Sequence, residues 1–205
     1  MLTPPALWNA INLGLYLHWA APSTAGAVSI AIARFFAEDA IATVPLLLVW
    51  GWLRRAHDGR AVLLQATAAA LLALGVNQLI GLVFFEPRPF AVGLGPALLA
   101  HAPDSGFPSD HVTLIAAVAT TLLLSPTWRR TGLLLTALGV AVAWARVDLG
   151  VHWPLDMAGA LLVGGLVALV LQRARHVLIA PWLPPLLRLY RWLFARGIRR
   201  GWAQF

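Results

Sequence analysis

Two residue types are missing from this chain of 205 residues: cysteine and lysine. Without cysteine the protein can form neither a disulfide nor a thiolate metal site, and its redox compartment stays undetermined. Charged residues are also scarce at 11% of the chain, whereas hydrophobic residues make up 60%. Because about a quarter of an average soluble domain is charged, this balance predicts an integral membrane protein. The length predicts a single domain over residues 1–205.

The absence of lysine means that all fifteen basic residues are arginine, and with eight acidic residues they give a net charge of +7. A comparable excess of positive charge is found in nucleic-acid-binding proteins. Here, however, the arginines fall in short clusters between apolar runs, as they do in the cytoplasmic loops of membrane proteins. We therefore expect no nucleic acid partner. Since the first basic residue is Arg34, no positive segment precedes an apolar stretch, and we expect no cleaved signal peptide.

Apolar runs that approach the ~20 residues of a membrane-spanning helix recur along the chain. The sequence predicts an all-α polytopic membrane helix bundle, with five spans in a transmembrane core over residues 25–175. Residues 1–24 are predicted to be an interfacial N-terminal segment, because Pro5 to Ala20 is short and partly polar; a sixth span is the alternative. The five spans are Ala25 to Leu53, Ala61 to Phe85, Val112 to Leu124, Thr131 to Ala145 and Leu155 to Gln172.

The arginine clusters predict the orientation of the bundle. With five alternating spans, every cluster falls on one side, which the positive-inside rule makes cytoplasmic. The clusters are Arg54, Arg55 and Arg60, then Arg129 and Arg130, then Arg173 and Arg175, and finally the arginines of the tail. The tail, residues 176–205, mixes arginine with leucine and tryptophan, and we expect an amphipathic helix on anionic lipid. A partly disordered basic tail is the alternative.

Three polar patches lie at the opposite, outward ends of the predicted helices. The first is Glu86-Pro87-Arg88-Pro89-Phe90, the second is Phe107-Pro108-Ser109-Asp110-His111, and the third runs from Arg146 through His152 to Asp156. Folding the spans into a bundle would bring the three patches together. The sequence therefore predicts an active site at the outward ends, which in a bacterial inner membrane is the periplasmic side.

The residue types in these patches suit a phosphate. The planar guanidinium groups of Arg88 and Arg146 match phosphate oxygens in pairs. Pro108 and Ser109 open a helix, where free backbone N–H groups attract an anion. Two histidines are available for nucleophilic and acid–base work. Asp156 follows His152 by four residues and is placed to accept from its ring N–H, which would fix the tautomer.

The patches resemble the type-2 phosphatidic acid phosphatase superfamily, which also includes vanadium haloperoxidases. The family pattern is Lys-x6-Arg-Pro, then Pro-Ser-Gly-His, then Ser-Arg-x5-His-x3-Asp. The resemblance covers residues 61–171, and the matching positions are Arg88, Pro89, Pro108, Ser109, His111, Arg146, His152 and Asp156.

This resemblance implies hydrolysis without a cofactor or metal, through a phosphohistidine. It implies that His152 attacks phosphorus, that His111 protonates the leaving group and that Asp156 supports His152. The residues that it implies for phosphate binding are Arg88, Ser109 and Arg146.

Three positions depart from the family pattern and indicate one branch of the family. The family lysine would fall at Gly81, Asp110 replaces the usual glycine, and Ala145 replaces the usual serine. These changes are similar to those of the bacitracin-resistance-type undecaprenyl-diphosphatase branch, which implies undecaprenyl diphosphate as the substrate. Asn77 and Gln78 lie one turn from Gly81 but are neutral, so neither replaces the missing charge.

Several residues have both a structural and a functional interpretation. Asp110 and Pro108 are possible accessory site residues; Asp110 is also suited to the dipole at a helix start. Glu38 is a further accessory candidate, but its spacing from Arg34 favours an i,i+4 ion pair. His101, Asp104 and Ser105 are interpreted as a solvated outward loop.

Other functions remain as alternatives. One alternative is a phosphatase or phosphotransferase that acts on another lipid phosphate, namely phosphatidic acid, phosphatidylglycerol phosphate or lipid A. A zinc site at Asp110, His111, His152 and Asp156 is disfavoured because two arginines would repel the cation. A transporter is disfavoured because the charges gather at one face and not at mid-membrane. Apart from the substrate and membrane lipid, we expect no obligate protein partner.

Overall fold

A computed structural model describes residues 1–20, 26–54, 57–94 and 98–200, and within these ranges the protein is helical, with isolated β-bridges but no strand. This confirms the predicted all-α class. The α-helices are α1 (Ala6–Trp19), α2 (Ala27–Arg34), α3 (Thr43–Arg54), α4 (His57–Val83), α5 (Asp110–Leu123), α6 (Arg129–Asp148), α7 (Pro154–Leu178), α8 (Leu183–Leu193) and α9 (Ala195–Arg199).

Three of these helices are long and apolar enough to cross a membrane: α4, α6 and α7. They correspond to the second, fourth and fifth predicted spans. Their outer faces carry leucines that are more than half exposed, such as Leu71, Leu82 and Leu162. An apolar helix that leaves leucines uncovered is suited to lipid and not to water. The chain is therefore a membrane protein, while the predicted total of five to six spans stays a prediction.

Helix α5 forms the centre of the bundle and packs against α4, α6 and α7. It has 14 residues, most of them buried. Close approach depends on glycine at two positions. A Cβ on Gly164 of α7 would lie 2.6 Å from the carbonyl oxygen of Thr113, and one on Gly132 of α6 would lie 2.7 Å from the amide nitrogen of Leu123. Both α6 and α7 thus contact the backbone of α5 directly.

The first predicted span, Ala25 to Leu53, is not one regular helix. Between α2 and α3 the chain makes a π-helical turn over Phe35–Asp39 and a 3-10 turn over Ala40–Ala42. The predicted ion pair between Arg34 and Glu38 is wrong, because the π turn removes the i,i+4 register on which it depended. Arg34 instead donates from Nε and Nη2 to the carbonyl oxygen of Leu98, at 2.9 and 2.6 Å.

The two ends of the bundle differ in chemistry. The first, second and third polar patches lie where α4 ends, where α5 begins, and where α6 passes into α7. At the other end Arg60 is buried, with its guanidinium group 4.4 Å from the ring centroid of Tyr190 in α8. The predicted amphipathic tail is thus helical over α8 and α9 and packs against the arginine-rich end; its last residues, 201–205, lie outside the described residues.

Helix α1 contacts the end of the bundle that carries the patches. The Trp8 ring packs edge-on against Phe84, and Tyr16 packs edge-on against Trp153. At 14 residues α1 is about 21 Å long, less than the ~30 Å of a bilayer core. The interfacial interpretation of this segment stays a prediction.

Candidate active site

A cavity of about 360 Å³ opens at the end of the bundle that carries the three patches. Predicted site residues from all three patches line it, namely Arg88, Pro108, Asp110, His111, Arg146 and His152. Gly81 lines it as well, at the position of the family lysine. A larger cleft of about 750 Å³ lies between α5, α6 and α7, but its lining is mostly apolar and it holds none of the patch arginines.

A tight turn between α6 and α7 places His152 in this cavity. Gly150 adopts the left-handed conformation, with φ of 75°, which lets the chain reverse after the helix. The amide groups of Val151 and His152 then both donate to the carbonyl oxygen of Arg146. Pro154 follows as the first residue of α7, where its missing N–H costs nothing.

The His152 ring is held at both of its nitrogen atoms. Nδ1 lies 2.9 Å from Oδ2 of Asp156, while Nε2 lies 3.1 Å from Nη1 of Arg88 and 3.1 Å from Nη2 of Arg146. A guanidinium group can only donate, so Nε2 must be the acceptor and carry the lone pair. The proton therefore resides on Nδ1 and is donated to Asp156. This tautomer directs the lone pair of Nε2 at the point between the two arginines.

The surroundings of His152 keep the ring neutral. The side chain is 2% exposed and lies in the connection between two spans. Burial lowers the pKa of His152 well below its ordinary value, and the positive charges of Arg146 and Arg88 lower it further. A neutral imidazole retains the lone pair that a nucleophile needs.

Arg88 is fixed by the outward loop. Its Nε donates to Oδ1 of Asp104 at 2.9 Å and its Nη2 to the carbonyl oxygen of Ser105 at 3.3 Å. Its Nη1 donates to the carbonyl oxygen of Val151 at 2.7 Å. The side chain is 6% exposed, whereas that of Asp104 is 62% exposed. The outward loop therefore does more than contact solvent, because it orients a predicted phosphate-binding arginine.

Arg146 is fixed from the opposite side. Its Nη1 donates to the carbonyl oxygen of Ala37 at 2.9 Å, in the π-helical turn, which is a kind of turn frequent at functional sites. Its Nη2 donates to Nε2 of His101 at 3.2 Å. By the same donor argument His101 is neutral, and Nδ1–H donates to the carbonyl oxygen of Ala102. Burial and the charge of Arg88 lower the pKa of His101.

The second patch supplies the start of α5. Ser109 precedes the first residue of that helix and is fully buried; its hydroxyl group has no hydrogen-bond partner among the residues that the structure describes. His111, the second residue of α5, lines the cavity. Asp110 accepts from Asn77 at 2.8 Å and from Gln78 at 3.3 Å. The two amides beside Gly81 therefore tie α5 to α4.

The sequence analysis gave no site role to three residues that the structure places in or beside the site. Asn12 is a polar residue buried in apolar α1, Glu86 is a buried acid, and His101 contacts Arg146. For Glu86 a signal existed, because an acid stands directly between an apolar run and Pro-Arg-Pro. The accessory candidate Glu38 is exposed and is not among the described residues that line the cavity.

The positive charge of the site comes from the guanidinium groups of Arg88 and Arg146. Within the described ranges, no three histidine or acidic side chains gather in a metal-binding arrangement. Both ring nitrogens of His152 are engaged, one by a carboxylate and the other by guanidinium groups. The arrangement can bind a phosphoryl group between Arg88 and Arg146 with the lone pair of His152 directed at its phosphorus atom.

Comparisons with known proteins find relatives that match most of the chain. The putative undecaprenyl-diphosphatase YbjG of Escherichia coli is 38% identical over 196 residues, which cover 95% of this chain and 98% of the relative. The undecaprenyl-diphosphatase BcrC of Bacillus subtilis is 33% identical over 156 residues, covering 76% and 79% of the two chains. The crystal structure of Aquifex aeolicus LpxE, at 20% identity, has a similar fold, with a TM-score of 0.62 over 80% of this chain and 95% of that one.

The family assignment rests on a longer match than the three motifs. The model of the PAP2 superfamily matches residues 61–179, which begin near the start of α4 and end just after α7. The matched region thus contains the four helices whose ends surround His152. Since it covers more than half of the chain, this protein belongs to the PAP2 superfamily.

Proposed function

We propose that this enzyme hydrolyses undecaprenyl diphosphate to the monophosphate and inorganic phosphate, by way of a phosphohistidine at His152. The observation that carries the proposal is the position of the His152 Nε2 lone pair, 3.1 Å from both Arg88 and Arg146. The choice of substrate is supported by the relatives named undecaprenyl-diphosphatase, at 38% and 33% identity.

In the first step the terminal phosphoryl group binds between the two guanidinium groups, which stabilise the charge on its equatorial oxygens. Ser109 adds its hydroxyl group as a donor. Nε2 of His152 attacks phosphorus, the bond to the bridging oxygen breaks, and undecaprenyl monophosphate leaves. Asp156 accepts the hydrogen bond from Nδ1–H throughout, and its negative charge stabilises the positive charge that develops on the ring.

In the second step water attacks the phosphohistidine, the N–P bond breaks, and inorganic phosphate is released with His152 restored. His111 protonates the leaving oxygen in the first step and removes a proton from the attacking water in the second. A departing monophosphate needs less protonation than an alkoxide does. His111 is therefore less important for a diphosphate than for a phosphate monoester.

The site faces the periplasm of a bacterial inner membrane in this proposal. The arginine clusters lie at the end of the bundle away from the cavity, in agreement with the positive-inside rule. Helix α5 begins at the site and spans only about 21 Å over its 14 residues. The cavity then lies at or slightly below the lipid headgroups, where the phosphates of a long isoprenoid carrier are found.

Phosphate release by the purified protein tests the proposal. The substrates are undecaprenyl diphosphate, phosphatidic acid, phosphatidylglycerol phosphate and a lipid A phosphate, each in detergent micelles. We expect the highest kcat/KM on undecaprenyl diphosphate and no release by His152→Ala. A preference for phosphatidic acid would overturn the substrate, and substantial turnover by His152→Ala would overturn the nucleophile.

A further inference from the structure

Glu86 is a buried acid to which the proposed reaction assigns no role. It follows α4 in the chain, outside the span, and is 2% exposed. Its Oε1 accepts from Nε1–H of Trp8 at 2.8 Å and from Nδ2–H of Asn12 at 2.7 Å. Both donors are neutral, and no ion pair to Glu86 is found in the part of the chain that the structure describes. An ionised carboxylate is costly in such a place.

The other oxygen of Glu86 faces a second carboxyl group. Oε2 of Glu86 and Oδ1 of Asp156 are both buried and find no donor among the described residues. The two carboxyl groups act on each other electrostatically, and Asn12 contacts both Glu86 and Leu155, the residue before Asp156. Two buried carboxyl groups that lie side by side cannot both be ionised, whereas one shared proton satisfies both free oxygens. Burial also raises the pKa of Glu86 above its ordinary value.

The remaining contacts assign the proton to Glu86. Oδ2 of Asp156 accepts from Nδ1–H of His152 and from the backbone amide of Trp153, each at 2.9 Å. Asp156 must stay ionised to hold the tautomer of His152 and to stabilise the positive ring during attack. Glu86 has no comparable partner that gains charge in the reaction.

Helix α1 determines where the Glu86 carboxyl group points. The side chain of Asn12 bridges two elements: Nδ2 donates to Glu86, and Oδ1 accepts from the amide of Leu155 at 2.9 Å, in the first turn of α7. Asp156 is the next residue of that turn. Asn12 thus fixes Glu86 relative to the segment that carries Asp156, from a helix outside the region matched by the family model.

We propose that Glu86 is a positioning residue that remains protonated and donates from Oε2 to Oδ1 of Asp156, so that Asp156 presents its other oxygen to His152. The proposal rests on the proposed function, since it concerns the residue that orients the nucleophile. It makes the N-terminal helix part of the reaction machinery, through a chain of hydrogen bonds from Trp8 and Asn12 to Glu86, Asp156 and His152.

Substitution by glutamine and by leucine separates a protonated Glu86 from an ionised one. The amide of Glu86→Gln can donate to Asp156 and accept from Asn12 and Trp8, so we expect kcat within about threefold of the wild type. Glu86→Leu removes the donor and leaves buried acceptors unpaired, and we expect kcat to fall between about tenfold and about a hundredfold. If Gln is as damaging as Leu while both variants unfold at the wild-type temperature, the proposal is wrong.

The pH profile supplies a readout that a purely structural role would not change. Asp156 is the titratable group beside Glu86, and Arg88 is the cation near this pair; Trp8, Asn12 and Ser105, the other described partners of Glu86, do not titrate in the working range. Ionisation of Glu86 at high pH would remove the donor to Asp156. We expect an alkaline decline of kcat in the wild type that Glu86→Gln lacks, and the same decline in Glu86→Gln would contradict the proposal.

Infrared spectroscopy tests the protonation state without any assay of activity. At neutral pH the folded protein should show the carbonyl stretch of a protonated carboxyl group. Glu86→Gln should lose this band, whereas Asp39→Asn, which changes an exposed acid, should keep it. Absence of the band in the wild type would overturn the proposal. If the band is present but no lipid phosphate is hydrolysed, the proposed function fails and the protonated Glu86 stands.

Discussion

The Nδ1 atom of His152 lies 2.9 Å from the Oδ2 atom of Asp156, and both side chains are almost fully buried. This contact determines which ring nitrogen carries the proton. It leaves Nε2 with the lone pair on the side of the two arginines, where the phosphoryl group is proposed to bind. The orientation of one carboxylate therefore determines whether the site has a nucleophile.

Asp156→Asn should abolish most of the activity without unfolding the protein. The asparagine amide can donate to Nδ1, which moves the ring proton to Nε2 and removes the nucleophilic lone pair. We expect kcat to fall by about 10²- to 10⁴-fold, measured as phosphate release. Asp148→Asn, at the end of α6 and outside the described cavity lining, is the matched control and should keep its activity. Wild-type kcat in Asp156→Asn would contradict this role.

Arg88→Lys should lower the activity nearly as much as replacing Arg88 by a neutral residue, although lysine keeps the positive charge. A lysine ammonium group cannot bond Asp104, Ser105 and Val151 at once and still face the phosphate with a planar pair of donors. We expect kcat/KM to fall about 100-fold. Arg129→Lys, an exposed arginine at the other end of the bundle, provides the control. Equal activity of the two variants would show that Arg88 supplies only charge.

The loss of activity at low pH should occur below the ordinary pKa range of histidine. Protonation of His152 removes the lone pair, and because its pKa is lowered by burial and by two arginines, this happens only when the pH falls well below ~6.5. Nitrogen NMR of the protein in detergent measures the titration of the His152 ring directly, and the His152→Gln variant identifies which signal belongs to this ring. Arg146→Gln should move the titration of His152 upward. A His152 ring that titrates near pH ~6.5 in the wild type would refute this expectation.

Hydrolysis should persist in excess chelator and be inhibited by vanadate. The guanidinium groups of Arg88 and Arg146 supply the positive charge, and vanadate mimics the five-coordinate phosphoryl group between them. Inhibition constants for the wild type and for Arg146→Lys measure this contribution, and the variant should bind vanadate less tightly. Loss of activity in chelator that zinc or magnesium restores would count against metal-independent hydrolysis.

The chain lacks cysteine, so single cysteines can report its orientation without background labelling. Ala102→Cys lies in the outward loop and Thr127→Cys in the turn between α5 and α6, and both positions are exposed. In intact cells, a membrane-impermeant maleimide should label position 102 and reach position 127 only after lysis. Labelling of position 127 from outside, with position 102 protected, would reverse the proposed orientation.

Much of this architecture could be predicted from the sequence because the signals are local. The apolar runs predict where α4 to α7 lie, and alternating spans bring the ends that carry Arg88, His111 and His152 to one side. The break between α2 and α3 could not be foreseen, because the carbonyl oxygen of Ala37 in its π turn accepts from Arg146, 109 positions later in the chain.

The contacts that the sequence did not indicate join distant segments. Glu86 meets Trp8 and Asn12, more than 70 positions earlier in the chain. His101 and Asp104 have the composition of a solvated loop, and only the folded chain brings them to Arg146 and Arg88. No periodicity or motif records such pairings, because they depend on how the helices pack.

The tight turn between α6 and α7 determines which wall of the site is fixed when a bulky lipid headgroup enters. Since the amides of Val151 and His152 share the carbonyl oxygen of Arg146, the backbone that carries His152 is tied directly to the backbone of Arg146. On the opposite wall Arg88 is held by the side chain of Asp104, which is 62% exposed. A headgroup that enters the site therefore meets one wall fixed by backbone hydrogen bonds and another whose fixing contact is open to solvent.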